Sequence, residues 1–403
     1  MPKTSAPSPL VYSSPLTVRF RGLDSRDGLL LRGDAGWGEF SPFEDYTDAQ
    51  SAPWLAAALE AAHQGWPSPV RSQVPVNVTV PAVGPDRARQ IVLAGAGCTT
   101  AKVKVGQVLA QSISQQAPGS GRTGAGSQAD VGTGGSVVRS AGAGSGAGAD
   151  ADTGRESRPS TQTTLPDGAD VTGRHPLESI DVEVARIAAV RSALDEAYGP
   201  GVGRIRVDAN GAWTVPQALE HLRAIDKVAG GLEYAEQPCA SVEELAQLRR
   251  LLAVAGLAIP IAADESIRRA EDPLRVQALD AADIAVLKVQ PLGGVRACLD
   301  LAERIAMPVV VSSALESSIG LAAGLALAGS LPQLPYACGL ATSQLFVHDV
   351  VAQPLLPRGG TMPVLAADNP RLNPMPVHEN RARASAQMTD RWLRRLGRVS
   401  HLL

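Results

Sequence analysis

Three candidate strands in the middle of the chain each end in a carboxylate, at even intervals. Arg204-Ile205-Arg206-Val207-Asp208 ends at Asp208, Gly231-Leu232-Glu233-Tyr234-Ala235-Glu236 at Glu236, and Ile259-Pro260-Ile261-Ala262-Ala263-Asp264 at Asp264. The interval is 28 residues both times, the length of one strand, one helix and their connections. Further strands are expected at Thr100–Val105, Ile284–Val289 and Pro308–Ser312. Helical patterns lie between them, at Asp181–Ala197, Val215–Lys227, Ser241–Ala253, Asp272–Ala278, Gly294–Ala306 and Ile319–Gly329. Such alternation implies a parallel sheet, closed as a barrel or doubly wound. No G-x-G-x-x-G opens a helix after a strand, which counts against a dinucleotide fold.

In a barrel, strand ends converge on one site at the C-terminal face. Three carboxylates gathered there repel unless neutralised, and Mg²⁺ neutralises them through oxygen ligands while leaving positions for water and substrate. Any one acid is equally a helix N-cap after a βα turn; recurrence in successive units favours a common site. Lys102 and Lys104 lie two apart in Ala101-Lys102-Val103-Lys104-Val105, so both project from one strand face. Two ammonium groups this close lower the pKa of at least one, which makes a usable general base. The plainer reading is an edge strand with two solvated lysines. Lys288 stands inside the apolar strand Asp283–Val289, a costly place without a partner. Ser312-Ser313-Ala314-Leu315-Glu316-Ser317-Ser318 follows at a strand-to-helix turn, and Gly339-Leu340-Ala341-Thr342 one unit later. Lysines on both sides of a metal triad suit removal of a proton α to a substrate carboxylate.

The remaining chain bounds the reading. At 403 residues and 44% apolar it supports a large core. A net charge of −3 and 3% aromatics give no footprint for nucleic acid. Cys98, Cys239, Cys298 and Cys338 form no C-x-x-C pair, which favours free thiols in a reducing cytoplasm. The N-terminus has no apolar signal segment, and the run Leu321–Leu331 is too short to span a bilayer, so no membrane association is expected. Residues 1–97 read as a small α+β unit: strands at Leu16–Phe20 and Gly28–Arg32, a turn and loop at Gly36–Phe43, a helix at Trp54–His63, a strand at Val74–Val80 and a helix at Pro85–Ala94. Residues 98–345 carry the repeating units, and 346–403 form a tail expected to pack back on the first unit. From about 111 to 175 the chain is mostly Gly, Ser, Ala, Asp and Thr, the composition of a disordered insert. The six histidines fall on no motif.

The pattern K-x-K, D-x-N, E-Q-P, D-E-S and a later lysine on successive strands resembles the enolase superfamily, in its muconate-lactonizing branch. The resemblance covers most of the chain. It implies a modified TIM barrel, (β/α)7β, with a capping domain built from the N-terminal region and the C-terminal tail. It implies Mg²⁺ (or Mn²⁺) at Asp208, Glu236 and Asp264, Lys104 as general base and then acid, Lys102 tuning it, and Lys288 stabilising an enediolate anion by charge and cation–π contact. Gly36–Phe43, Arg206, Ser312–Ser318 and Gly339–Thr342 most resemble dehydratases of that branch. By that likeness Ser313 and Gly339 contact a succinyl arm, Arg206 holds the site's polar edge, and the substrate is a small-molecule carboxylate. N-acylamino acid racemases and dipeptide epimerases share parts of these motifs and stay open as the alternative, with Lys104 and Lys288 as opposed bases. The 65 residues at 111–175 depart from the family pattern.

Overall fold

The N-terminal residues of the computed structural model fold as an antiparallel sheet of three strands, β1 (Leu10–Phe20), β2 (Leu23–Gly33) and β3 (Gly36–Phe40), in that order. The structure describes residues 8–107, 177–375 and 381–403; the expected insert at 111–175 lies outside them. The stretch Gly36–Phe40, read from its glycines as a turn and loop, is the third strand instead. It pairs with Leu29–Gly33 from its first residue. Its glycines serve a close approach, because a Cβ at Gly38 would meet the Ala58 carbonyl of the neighbouring helix at 1.9 Å. That helix, α1 (Asp48–His63), starts ahead of the apolar pattern at Trp54, because Thr47 and Gln50 form a capping box that satisfies its free N–H groups.

The run Val74–Val80 is two strands in two sheets. β4 (Gln73–Pro75) pairs antiparallel with β12 (Thr361–Pro363), whereas β5 (Val78–Val80) opens the barrel. Between them Val76 donates to Gly360 O and Asn77 to Cys338 O, so the chain changes partners there. Next come α2 (Pro85–Leu93), β6 (Thr100–Lys104), α3 (Ile180–Tyr198), β7 (Arg204–Asp208), α4 (Val215–Ala229), β8 (Tyr234–Glu236), α5 (Val242–Val254) and β9 (Ile261–Ala263). A single turn, α6 (Glu265–Arg268), stands directly after Asp264, and the helix expected at Asp272–Ala278 shortens to another, α7 (Arg275–Ala278). β10 (Ile284–Leu287), α8 (Val295–Arg304), β11 (Val309–Val311) and α9 (Ser318–Ser330) complete the repeats.

The strands β5 to β11 form one seven-stranded sheet in sequence order, with every neighbouring pair parallel. Cys338 and Gly339 join its edges. Cys338 N donates to Pro75 O and its carbonyl accepts from Asn77 N, while Gly339 N donates to Val311 O and its carbonyl accepts from Ser313 N. Those bridges close the ring as a (β/α)7β barrel. The apolar helix α9 is buried on every side up to its last residue. Among the described residues no helix is long and apolar enough to cross a membrane.

The tail returns to the first sheet as α10 (Ala386–Ser400). Trp392 lies edge-on to Phe40 with ring centroids 5.9 Å apart, in a cluster with Leu29, Tyr46 and Trp54. Arg395 donates to the carbonyls of Pro42, Phe43 and Tyr46, at 3.1, 2.9 and 2.9 Å.

Candidate active site

Register brings the candidate residues together. Lys104 pairs with Asp208 across β6–β7, and Asp208 with Glu236 across β7–β8, at the C-terminal ends of the strands. Lys102, one layer down on the same face, pairs with Arg206. Asp264 follows β9 directly and Lys288 follows β10. All seven side chains are buried.

Each acid lies against a lysine. Lys104 Nζ is 2.5 Å from Asp208 Oδ2 and 2.8 Å from Asn210 Oδ1. Lys102 Nζ is 3.0 Å from Glu236 Oε2, 3.7 Å from Asp208 Oδ2 and 3.2 Å from Ser312 Oγ. Lys288 Nζ is 2.6 Å from Asp264 Oδ2, and Arg268 Nε lies 2.9 Å from the other oxygen of that carboxylate. The two lysines of β6 diverge. Burial, reinforced by the charges of Arg21 and Lys102 and opposed by Asp208, holds Lys104 below its ordinary value. Burial pulls Lys102 down too, but Glu236 and Asp208 outweigh it, and Lys102 stays above the ordinary value. Burial is thus the leading cause for Lys104, and the neighbouring lysine a smaller one. Burial works against charge on Asp208, but Lys104 and Lys102 hold its carboxyl far below the usual range. Asp264 is held low likewise by Arg268 and Lys288, against its burial. Glu236 goes the other way, pushed up to about 7 by burial and by Asp208.

The donor set suits a hard divalent cation. Three carboxylates from adjacent strand ends offer oxygen ligands only. Among the described residues no three acidic, histidine or cysteine side chains are gathered as a ready ion cage, because each acid is turned onto a cation.

A cavity lies at these groups, lined by Lys102, Lys104, Asp208 and Lys288. Ser312–Leu315, Gly339 and Thr342 line it too, so Ser313 and Gly339 share one cavity with the lysines. Ser313 Oγ is 2.7 Å from Thr342 Oγ1. Three lining residues carry no motif. Phe20 and Arg21 enter from the β1–β2 hairpin, whose turn residues Arg21 and Gly22 both have positive φ. Lys104 Nζ lies 5.5 Å from the Phe20 ring centroid. Thr79, on β5, contributes a buried hydroxyl with no partner among the described residues.

Arg206 is a correction. It does not reach the cavity: its guanidinium pairs with Glu233, donates to Asn77 Oδ1 at 3.2 Å and Ala337 O at 2.6 Å, and lies over the Tyr234 ring. Two residues before Asp208, it sits one layer deeper, in the barrel floor.

Fold and site together define a barrel enzyme of the enolase superfamily. Residues 158–369 match the family model of the enolase C-terminal domain-like fold and residues 11–62 that of the enolase N-terminal domain-like fold. The chain is 48% identical to the o-succinylbenzoate synthase of Thermobifida fusca over 89% of its own length and 87% of the relative's. It is 41% identical to that of Mycolicibacterium smegmatis (88% and 84%) and 39% identical to that of Mycobacterium tuberculosis (98% and 94%). The chain belongs to the o-succinylbenzoate synthase family. Among solved structures it superposes on the muconate lactonizing enzyme of Pseudomonas fluorescens with a TM-score of 0.61 at 18% identity, covering 92% of this chain and 96% of that one. The L-Ala-D/L-Glu epimerase of Bacillus subtilis gives 0.60 at 17%, covering 89% and 95%. At those identities the likeness is one of fold.

Proposed function

We propose that this chain is an o-succinylbenzoate synthase: it dehydrates 2-succinyl-6-hydroxy-2,4-cyclohexadiene-1-carboxylate to o-succinylbenzoate, in menaquinone biosynthesis. The observation that carries the reading is the buried lysine pair lining one cavity, Lys104 on β6 and Lys288 after β10, in a chain 48% identical to a protein of that name. Asp208, Glu236 and Asp264 would hold Mg²⁺, which supplies positive charge beside the substrate carboxylate.

Lys104, held below its ordinary pKa, takes the proton from the carbon next to the carboxylate, and the electrons of that C–H bond move toward the carboxylate. Lys288, which lines the same cavity, opposes the resulting enediolate with its charge. As the ring regains those electrons the C–O bond breaks, and the leaving hydroxide collects the proton from Lys104 as water. Both transfers use one lysine, so the hydrogen and the hydroxyl leave from the same face. Lys102, bound to Glu236 and Ser312, keeps a second positive charge beside the base. Ser313 and Gly339 line the wall against which the succinyl arm would lie. The four cysteines are free and buried, which suits a reducing cytoplasm.

The test is ultraviolet-monitored turnover of the cyclohexadiene by purified protein with and without Mg²⁺. Metal-dependent conversion that is lost in Lys104→Ala is expected. A folded, metal-bound protein without turnover would overturn the reading. Lys288→Arg separates this chemistry from two-base epimerisation, since a one-base dehydration keeps residual activity and an epimerase loses all of it.

A further inference from the structure

We infer that Glu183 and Arg186 of α3, with His221 of α4 behind them, are positioning residues for Lys104. The inference rests on the base role proposed for Lys104. It starts from an anomaly in the sequence of α3. The helix buries positions 183, 186, 187, 190, 193 and 194, the spacing of one inward face. Four of these are Ile, Val, Ala and Leu; the two in the first turns are Glu183 and Arg186. Charged groups on a buried face are costly unless they are fully paired.

Their partners are the backbone just beyond the base. Arg186 Nη1 donates to the carbonyl of Lys104 itself at 3.0 Å. Glu183 Oε1 accepts the Gly106 N–H at 2.6 Å. Each is anchored a second time, Arg186 through Nε to Val83 O after β5 at 2.6 Å, and Glu183 through Oε2 to His221 Nδ1 at 2.6 Å. The His221 ring in turn rests on Trp213, centroids 4.9 Å apart. Gly106 has φ +66°, and a Cβ there would press on Ala212 and Trp213, so the turn accepts this arrangement only as glycine.

The clamp stands where a chain most needs one. β6 ends at Lys104, and the next helix begins only at Ile180. In a barrel whose other units join strand to helix within a few residues, a strand end followed by so long a connection has no short loop to fix it. α3 replaces that loop with side-chain bonds, and Glu178 N adds a backbone bond to Gln107 O at 2.8 Å. Proton transfer is sensitive to misplacement of the base by fractions of an ångström. The clamp therefore governs the chemical step more than substrate binding.

The experiment compares Arg186→Met, Arg186→Lys, Glu183→Ala and, as a control on the same helix, Arg191→Met, which loses a bond to Gly203 O and an ion pair with Asp195 but touches nothing at the end of β6. Steady-state dehydration is measured with ordinary and α-deuterated substrate, and amide hydrogen exchange at Gly106 is read by NMR, after circular dichroism shows each variant folded. Expected are a fall in kcat of about tenfold or more with KM within about twofold, a larger deuterium effect, partial rescue in Arg186→Lys, and faster Gly106 exchange in Glu183→Ala. Unmoved kcat and isotope effect in folded Arg186→Met and Glu183→Ala, or an equal loss in Arg191→Met, would overturn the inference. Absence of wild-type turnover would instead sink the dehydratase reading. Gly106 exchange would still decide on the clamp, because unchanged exchange in Glu183→Ala overturns it whatever the reaction.

Discussion

Lys288 Nζ stands 2.6 Å from Asp264 Oδ2, and Arg268 holds the opposite oxygen of the same carboxylate at 2.9 Å. One anion thus anchors two buried cations. Asp264→Ala should leave Lys288 without its carboxylate and Arg268 with Glu265 alone, 2.5 Å away, and breaking a buried pair in this way costs about 3–5 kcal/mol. Urea unfolding without metal measures it. A loss below about 1 kcal/mol would mean that Lys288 finds another partner.

Added Mg²⁺ should raise the melting temperature. A ligand at a hundredfold excess over Kd stabilises the folded state by about 2.7 kcal/mol. Glu236→Ala should abolish most of the shift while leaving the lysines of β6 in place. A metal-induced shift of equal size in Glu236→Ala would remove Glu236 from the ligand set.

Arg206→Met should lower stability and leave KM unchanged. The side chain lies beneath the site, holding Glu233, Asn77 and Ala337 together. Its loss is expected to lower unfolding free energy by about 2 kcal/mol or more, at the low end for a buried pair because Glu233 is partly exposed. A selective rise in KM with unchanged stability would return Arg206 to the substrate.

What the sequence makes legible follows from rigid spacing. Asp208, Glu236 and Asp264 stand out because one βα unit has a nearly fixed length, and Lys288 because an apolar strand has no ordinary use for a lysine. Arg206 misleads through the same strand logic. Alternation correctly puts it on the inner face with Asp208, one layer deeper beside Lys102, but its guanidinium turns onto Glu233, Asn77 and Ala337 while the Lys102 ammonium reaches the cavity. Phe20, Arg21 and Thr79 carry no local signal, since their place at the cavity depends on how a distant hairpin and the first barrel strand are brought together. Glu183 and Arg186 did carry one, as charges on the apolar period of a helix. His221 gained meaning only from Glu183.

Glu316 gives a pH dependence whose sign is fixed. Burial pushes its carboxyl up to about 7 from 4.5, although the Ala314 N–H donates to it. The folded state therefore binds this proton more tightly than the unfolded chain. The associated stability is complete below about 4.5 and is lost as pH rises toward 7, on the order of 3 kcal/mol. Glu316→Gln removes the titration. Its stability relative to wild type should improve between pH 5 and pH 8, and denaturant midpoints across that range measure it. Parallel curves for the two proteins would show that Glu316 does not titrate there.

Gly339→Ala tests how the wall of the cavity is coupled to the base. A Cβ at Gly339 would meet Ser312 Oγ at 2.5 Å and Ser312 Cβ at 3.2 Å. The hydroxyl is the free end of a short side chain, so the fold should absorb the methyl by rotating Ser312. That rotation breaks the 3.2 Å bond from Lys102 Nζ to Ser312 Oγ. A hydrogen bond to a charged group contributes about 1.5–3 kcal/mol to stability, so the melting temperature is expected to fall by several degrees, and kcat/KM by about tenfold as Lys102 loses an anchor. Gly339 also faces the cavity, where a methyl would obstruct substrate directly, and Ser312→Ala separates the two routes. If the methyl acts through Ser312, Gly339→Ala in the Ser312→Ala background should cost little more than Ser312→Ala alone. If the full loss persists there, the contact is with the substrate, and the coupling from Gly339 through Ser312 to Lys102 is wrong.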